Sequence, residues 1–248
     1  MSKKKVLNPF AGDVEFEFKS KTILLISDLH MPYHHADAFA FLKHLKKIYK
    51  PDLVVSLGDL GDFHNISFHD SDPELLSAGD ELEALQENSA ILEKIFPELV
   101  ILGSNHGDLP LRKAFATGLP ASFIKPYNDL YEVGDSWHFV DDLTLVDDDA
   151  YIYMCHGTSK DGIKLATQRG VNVCQGHYHT EFNIKYASNP RDLLWSVQAG
   201  CLIDPKSLAF AYNKLQLNRP IIGTSVIVNG HPVLEPMVLN RDGRWIGE

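Results

Sequence analysis

Three short apolar runs, each followed closely by a cluster of polar residues, constrain the fold of this chain more than any other feature. The runs cover residues 22–27, 53–56 and 99–102. Runs of this length without alternation are typical of strands that are buried on both faces. Segments 36–50 and 80–96 lie between them and place apolar residues at helical spacing. The alternation of strand and helix predicts parallel strands joined by crossover helices.

The second half of the chain carries further short apolar runs, at residues 151–155, 171–174, 194–198 and 224–228. They predict additional strands, and Asn229-Gly230 predicts a two-residue hairpin turn. We therefore expect an α/β fold in which two packed mixed β-sheets are flanked by helices. No repeat or linker divides the chain, so we expect residues 1–248 to form one domain. Segments 63–79 and 109–149 are long for plain connections and could shape or cover a pocket.

Five polar clusters supply the candidate site residues, and most of them directly follow a predicted strand. In chain order they are Asp28-Leu29-His30, Gly58-Asp59-Leu60-Gly61-Asp62, Asn105-His106, His156-Gly157 and Gly176-His177-Tyr178-His179. Ligands of open α/β sheets lie outside the carboxyl ends of the strands. Alternation along an extended backbone is expected to place Asp28 and His30 on one face, and likewise His177 and His179. Apart from Asp62, the clusters offer two carboxylates, one amide and five imidazoles, enough for a two-metal hydrolytic site.

The order and spacing of these clusters resemble the calcineurin-like metallophosphoesterase superfamily, over roughly residues 22–203. The resemblance implies a four-layer α/β/β/α sandwich and a centre of two divalent metal ions. The ligands that it implies are Asp28, His30 and His179 for the first ion, Asn105, His156 and His177 for the second, and Asp59 as the bridge between them.

The resemblance also implies roles for residues that do not hold metal. His106 would protonate the leaving oxygen or steady charge on the phosphoryl group. Asp62 would orient the His106 imidazole and raise its pKa, although a loop-capping role is the alternative. Arg112 stands where several bacterial and phage members carry a basic residue; it could contact phosphate or be an ordinary helix-surface arginine. Four other histidines near the motifs are expected at the surface or behind the ligands: His34, His35, His64 and His69.

One motif departs from the usual sequence of the family at this position, which is G-N-H-[DE]. This chain reads Gly103-Ser104-Asn105-His106-Gly107-Asp108. Serine replaces the glycine before Asn105, and the acidic residue moves one place along the chain. The departure removes no expected ligand.

The ligand chemistry narrows the choice of metal. Nitrogen and oxygen ligands without thiolate favour Mn, Fe, Co, Ni or Zn over Mg or Ca alone, and we expect Mn. Two divalent cations against two carboxylates leave a charge of about +2, which would attract a phosphate ester dianion. The metals would lower the pKa of a bound water, so that hydroxide can attack phosphorus.

Comparison among branches of the superfamily refines the expected function. Phe63 stands where Ser/Thr protein phosphatases carry an arginine, and the chain is short for a recombination-repair nuclease. The compact chain and its D-L-H-x-P-Y-H opening resemble small phage and bacterial members, some of which are deoxynucleoside 5′-monophosphatases. The resemblance therefore implies a phosphomonoesterase acting on nucleoside or deoxynucleoside 5′-monophosphates. A phosphodiesterase or nuclease acting on cyclic nucleotides or nucleic-acid ends is the alternative, and a non-enzymatic metal-bound scaffold is disfavoured because every ligand is present.

Composition argues against two classes of partner. The net charge is −10, which disfavours a long nucleic acid, and no run of 18 apolar residues could span a membrane. The lysines of segment 36–50 are expected to form a solvated helix face, and the aromatic residues of segment 109–149 to pack in the core, with base stacking as the alternative. Cys155, Cys174 and Cys201 stand in apolar contexts and are expected to be buried reduced thiols. Together with the lack of an apolar leader, they predict a cytoplasmic protein, in the host cytoplasm if the chain is phage-encoded.

Overall fold

The computed structural model describes residues 14–17, 22–68, 74–147, 150–207, 209 and 219–247. Its helices are α1 (Ala38–Tyr49), α2 (Ala78–Ile95), α3 (Leu109–Ala116), α4 (Tyr127–Tyr131) and α5 (Gly162–Arg169). Its strands are β1 (Val14–Glu17), β2 (Thr22–Ile26), β3 (Leu53–Ser56), β4 (Leu99–Leu102), β5 (Trp137–Val140), β6 (Leu143–Asp147), β7 (Ala150–Cys155), β8 (Asn172–Gln175), β9 (Phe182–Ser188), β10 (Leu193–Ala199), β11 (Gly223–Val228) and β12 (His231–Pro236).

The strands form two six-stranded sheets, both of them mixed. The first sheet has the order β12-β11-β2-β3-β4-β5, in which β2 to β5 are parallel and β11 runs antiparallel to β2. The second sheet has the order β1-β6-β7-β8-β10-β9. In it β7, β8 and β10 are parallel, whereas β6 and β9 run antiparallel to their neighbours β7 and β10. The predicted α/β fold with two mixed sheets is confirmed.

Successive residues of β2 enter two different cores. Ile23 and Leu25 pack between the two sheets, in the same cluster as Met154 of β7. Leu24 and Ile26 point the other way and pack with the apolar residues of α1 and α2. Because both faces of the strand are buried, its sequence is a continuous apolar run instead of an alternating one.

A third cluster completes the layers. Tyr153 of β7 and Val173 of β8 pack against Ala166 of α5, on the face of the second sheet that points away from the first. Helices α1 and α2 therefore cover one outer face and α5 covers the other, which gives the four layers that the resemblance implied.

Local sequence signals agree with the ends of several elements. The Oγ of Ser77 accepts a hydrogen bond from the backbone N–H of Asp80 at 3.2 Å and caps the start of α2. Asn229 and Gly230 join β11 to β12 with φ angles of 49° and 78°, the positive values that a two-residue hairpin of this kind requires. This predicted hairpin is confirmed.

Segment 109–149 differs from a simple pocket-covering insertion. It contains β5, which pairs with β4 of the first sheet, and β6, which pairs with β7 of the second, so it contributes a strand to each sheet. Tyr131 and Trp137 are buried in the core, and Tyr127 and Phe139 pack against it, whereas Phe123 is exposed. Segment 63–79 holds a 3-10 helix (His64–Ile66) and the first turn of α2, while its residues 69–73 lie outside the described residues.

Two further expectations concern the thiols and the membrane. Cys155, Cys174 and Cys201 are buried and form no disulfide bond with one another, as predicted. Among the described residues, no helix combines the length and the apolar character needed to cross a membrane.

Candidate metal centre

The five polar clusters lie at or just beyond the carboxyl ends of β2, β3, β4, β7 and β8, and the structure brings them together where the two sheets meet. The strands β2, β3 and β4 are parallel neighbours in the first sheet, and β7 and β8 are parallel neighbours in the second. The backbone N–H of His177 donates to Asp28 Oδ2 at 3.0 Å. The Nδ1 of His156 donates to the carbonyl oxygen of Leu57 at 2.9 Å. Residues from both sheets therefore form one site.

The first group of candidate ligands consists of Asp28, His30 and His179, whose donor atoms all lie within 4.8 Å of one another. His179 Nε2 is 3.2 Å from Asp28 Oδ1, and His30 Nε2 is 3.9 Å from the same oxygen. Asp28 is fully buried. These three donors could hold one cation.

The second group consists of Asp59, His156 and His177, again with donor atoms within 4.8 Å. Asn105 joins it, because its Oδ1 lies 2.8 Å from His156 Nε2. His177 Nδ1 lies 3.1 Å from the same His156 atom. The structure thus brings together all four residues that the sequence assigned to the second ion.

Asp59 lies between the two groups. Its Oδ2 is 3.4 Å from His30 Nε2 and 3.1 Å from His156 Nε2. A third group of donor atoms within 4.8 Å joins Asp59 to His30 and His106. One carboxylate therefore contacts imidazoles of both groups, which is the position that a bridging ligand needs.

The backbone at these positions corrects one expectation. Asp28 and His30 have φ angles of 49° and 50°, Asp59 has 43° and His177 has 69°. These values belong to the left-handed region, so neither Asp28-x-His30 nor His177-x-His179 is presented by a simple extended segment. Non-glycine residues in this region cost energy and tend to occur at functional sites, where surrounding contacts hold them in place.

Two glycines let these turns approach one another. Gly58 has a φ of 101°, and a Cβ there would lie 2.7 Å from His156 Nδ1. A Cβ at Gly176 would clash with the side chains of Ser27 and Asp28. Glycine is therefore required directly before Asp59 and directly before His177.

Hydrogen bonds fix which nitrogen of two histidines faces the centre. His156 donates from Nδ1 to Leu57, so its Nε2 faces Asp59 and Asn105. His30 lies with Nδ1 2.5 Å from Asp62 Oδ1, so its Nε2 faces Asp28 and Asp59. Metal-binding histidines commonly donate their other ring N–H to a carboxylate or a carbonyl, which sets the tautomer and the ring orientation.

Asp62 contacts a second histidine as well. His106 Nδ1 lies 2.7 Å from the carbonyl oxygen of Asp62 and 3.1 Å from its Oδ1. Burial raises the pKa of Asp62, but hydrogen bonds with His106 and His30 outweigh burial and lower it to about 2. The family resemblance implied the contact of Asp62 with His106 but gave no indication of its contact with His30.

The charges around the centre shift the pKa of several groups. Burial lowers the pKa of His106, but its hydrogen bond with Asp62 and the charge of Asp59 raise it to about 9. Burial likewise lowers the pKa of His156, and the charge and hydrogen bond of Asp59 raise it to about 9. Burial raises the pKa of Asp59, yet the charges of His156 and His30 hold it well below its usual value.

Asp28 and His177 follow the same pattern of competing effects. Burial raises the pKa of Asp28, whereas the hydrogen bond with His179 and the charge of His156 lower it overall. Burial and the charge of His156 lower the pKa of His177. Two buried carboxylates thus remain ionised beside neutral or protonated imidazoles, and this donor set of oxygen and nitrogen fits a divalent transition metal.

The unusual motif Gly103-Ser104-Asn105-His106-Gly107-Asp108 acquires a physical explanation. The Oγ of Ser104 accepts hydrogen bonds from the backbone N–H of Asp59 at 2.8 Å and of Gly107 at 3.0 Å. The displaced acid, Asp108, accepts a hydrogen bond from the hydroxyl of Tyr127 at 2.7 Å. Ser104 therefore ties the loop that carries Asp59 to the loop that carries His106.

Arg112 lies at the open side of the centre. Its Nη1 donates to the backbone carbonyl of Asn105 at 3.0 Å, and its side chain is exposed. The structure therefore places Arg112 beside a candidate ligand.

Three of the four other histidines near the motifs, His34, His35 and His64, belong to the described residues. His35 is buried, and its Nε2 lies 2.9 Å from the carbonyl oxygen of Gly243. His64 Nδ1 is 3.7 Å from Asp62 Oδ2, and His34 packs against Phe39. His69 lies outside the described residues.

Several solved structures resemble this chain at low identity. They include an archaeal phosphodiesterase (14% identity, TM-score 0.45), vacuolar protein sorting 29 from Cryptosporidium parvum (13%, 0.45) and the phosphoesterase YfcE from E. coli (14%, 0.38). The alignments cover 86%, 87% and 91% of this chain and 99%, 95% and 97% of the other chains, in that order. Similarity at this level carries no argument about activity.

A search among curated proteins finds no match. The model of the calcineurin-like phosphoesterase family, by contrast, matches residues 21–231, which span all five polar clusters. The chain therefore belongs to the calcineurin-like phosphoesterase family and is a hydrolase that acts on phosphoric esters.

Proposed function

We propose that this protein is a two-metal phosphomonoesterase whose substrates are nucleoside or deoxynucleoside 5′-monophosphates. The proposed ligands are Asp28, His30 and His179 for one divalent cation, Asn105, His156 and His177 for the other, and Asp59 for both. The observation that carries the proposal is the position of Asp59 Oδ2, within 3.4 Å of His30 Nε2 and 3.1 Å of His156 Nε2.

The cations, for which manganese is the proposed metal, supply an activated water and positive charge for the phosphate oxygens when they are bound. The protein's own contribution is to hold the donors in place. Buried hydrogen bonds from His30 to Asp62 and from His156 to Leu57 orient the two imidazoles. Protein groups that fix ligands in this way commonly tune metal affinity as well.

His106 is the proposed proton donor to the leaving oxygen. Its Nδ1 is engaged with Asp62, so Nε2 is the ring atom left to carry the proton. A pKa near 9 keeps the imidazole protonated at neutral pH, and about a quarter of the side chain is exposed to an incoming substrate. Asp62 acts through His106 and is therefore a positioning residue.

The substrate class rests on the open side of the centre. Asn105 and Arg112 are exposed there, and the guanidinium could contact a phosphate oxygen. A monoester dianion gains more from this positive side than a diester monoanion does, which favours phosphomonoesterase activity over the phosphodiesterase alternative.

The test is phosphate release from a panel of 5′- and 3′-nucleotides with added Mn²⁺, run beside bis(p-nitrophenyl) phosphate and an EDTA control. We expect fast release of phosphate from 5′-monophosphates, loss of this release when EDTA is added, and little cleavage of the diester. Preferential cleavage of the diester would replace the proposal with a phosphodiesterase. The same panel with Asp59→Asn, and with the exposed Asp129→Asn as a matched control, links the activity to this centre.

A further inference from the structure

Three phenylalanines on the segments that flank the candidate centre are exposed. Phe68 is 51% exposed, Phe115 54% and Phe123 73%. A phenylalanine left in water gives up the free energy of burying its ring. Exposed rings next to a candidate active site offer an apolar surface to a ligand.

Of the three, Phe68 is the one that the structure connects to the centre. Lys113 Nζ lies 4.1 Å from the centroid of the Phe68 ring, and the Arg112 guanidinium lies 5.3 Å from it. Arg112 in turn donates to the backbone carbonyl of Asn105, a candidate ligand. One residue thus separates Phe68 from the candidate metal ligands. We refer to Phe68, Arg112 and Lys113 as the aromatic rim.

The rim combines two features that are unusual for this chain. It gathers two cations on one turn of α3, although the net charge of the protein is −10. It also keeps half of an aromatic ring exposed although Lys113 lies over one of its faces. A flat, neutral π-system joined to an anion would contact both features at once. Aromatic rings bind nucleobases by stacking, and nearby arginine or lysine adds to that binding.

We propose that the nucleobase of the substrate stacks on Phe68, with Arg112 and Lys113 beside the phosphate, so that the aromatic rim selects nucleotides over simple phosphate monoesters. This inference rests on the proposed function, because it assumes that the phosphate lies at the candidate metal ligands. Stacking uses the flat surface that all bases share. The rim therefore distinguishes substrates with a base from substrates without one, more than it distinguishes one base from another.

Steady-state kinetics on two substrates that differ by the base test the proposal. Adenosine 5′-monophosphate and ribose 5-phosphate are compared on the wild type, Phe68→Leu and Phe68→Trp, with Mn²⁺ present. We expect Phe68→Leu to raise KM for adenosine 5′-monophosphate about tenfold with kcat nearly unchanged, as expected from the loss of one stacked base. KM for ribose 5-phosphate should stay within about twofold, and Phe68→Trp should restore nucleotide binding.

Tyr186→Leu is the matched control, because Tyr186 is an exposed aromatic residue on β9, in the second sheet. It should leave both substrates unaffected. Equal changes in the two substrates on Phe68→Leu, or no change in either, would overturn the role of the rim.

A binding measurement separates failure of the rim from failure of the proposed function. If the wild type releases no phosphate from either compound, the proposed activity fails, and calorimetry on the Mn²⁺-loaded protein then decides the role of Phe68. Tighter binding of adenosine 5′-monophosphate than of ribose 5-phosphate, weakened about tenfold by Phe68→Leu, would still support stacking. Equal affinity for the two compounds, or no binding of either, would overturn it.

Discussion

The inner and outer sides of the candidate centre differ in burial and in how firmly their side chains are held. On the inner side, Asp28, His30, Asp59 and His156 are each at most 6% exposed. On the outer side, Arg112 is exposed and His106 is partly exposed. The difference indicates two roles: the inner side holds donor atoms for metal, and the outer side contacts the substrate.

Asp62 is the residue that connects the two sides. It is buried, and its carboxylate lies against His30 of the inner side and His106 of the outer side. The comparison therefore predicts three classes of variant: those that lose metal, those that lose turnover alone, and those at Asp62 that lose part of both.

The largest effect is expected for Asp59→Asn, on the inner side. The amide removes the negative charge that the two ligand groups share. Activity should therefore fall more than about 1,000-fold, and metal content should drop. This loss should exceed the roughly 10–100-fold that is typical when a hydrogen-bond partner of a metal ligand is replaced. Elemental analysis and phosphate release measure the two quantities. Full metal content in this variant would contradict the assignment of metal binding to the inner side.

His106→Ala, on the outer side, should lower kcat by about 100- to 1,000-fold because it removes the proposed proton donor. Metal content should stay close to that of the wild type. The exposed His231→Ala on β12 serves as the matched control and should change neither quantity. An empty centre in His106→Ala would mean that His106 is a ligand, as its position within 4.8 Å of His30 and Asp59 donor atoms would allow.

Asp62→Asn should produce a smaller effect on both sides. The neutral amide holds His30 less firmly, so metal affinity should fall about 10- to 100-fold. Loss of the charge also lowers the pKa of His106 from about 9, so the imidazole loses its proton at a lower pH. The rate should therefore decline at a lower pH on the alkaline side of its profile. Unchanged affinity combined with a shifted profile would show that Asp62 acts on the outer side alone.

The last expected effect is a pH dependence of metal uptake in protein stripped by a chelator. The pKa of His156 is about 9, and metal binds the unprotonated Nε2, so protons compete with metal below that pH. Affinity for Mn²⁺ should rise about tenfold per pH unit for each displaced proton, and level off above the pKa. Calorimetry at pH 6.5, 7.5 and 8.5 under anaerobic conditions measures it, and an affinity that is independent of pH would contradict the raised pKa.

The elements that sequence predicted well are those with a strong local pattern. The runs that became β2, β3 and β4 end within one residue of their predicted bounds because both faces of each strand are buried. Strands β5 and β6 were missed, since their apolar–polar alternation extends over only three residues, too short a span to predict a strand. Their place is set by pairing with β4 and β7 rather than by their own sequence.

The site shows the same limit. The residue types and their order pointed to side chains that the structure brings together, because each cluster follows a strand of one of two adjoining sheets. The left-handed backbone at Asp28, His30 and Asp59 could not be predicted, since Asp and His adopt it more often than most non-glycine residues but still in a minority of cases. The hydrogen bond that Ser104 accepts from the backbone of Asp59 was equally hidden, because it joins residues from two different loops.

The most direct test of the central claim is electron paramagnetic resonance of the protein loaded with Mn²⁺, together with elemental analysis. If Asp59 joins two ligand groups, the wild type should hold two manganese ions per chain and show the signal of a spin-coupled pair. Asp59→Asn should lose that coupling. One ion per chain, or only the signal of isolated Mn²⁺ in the wild type, would contradict the account.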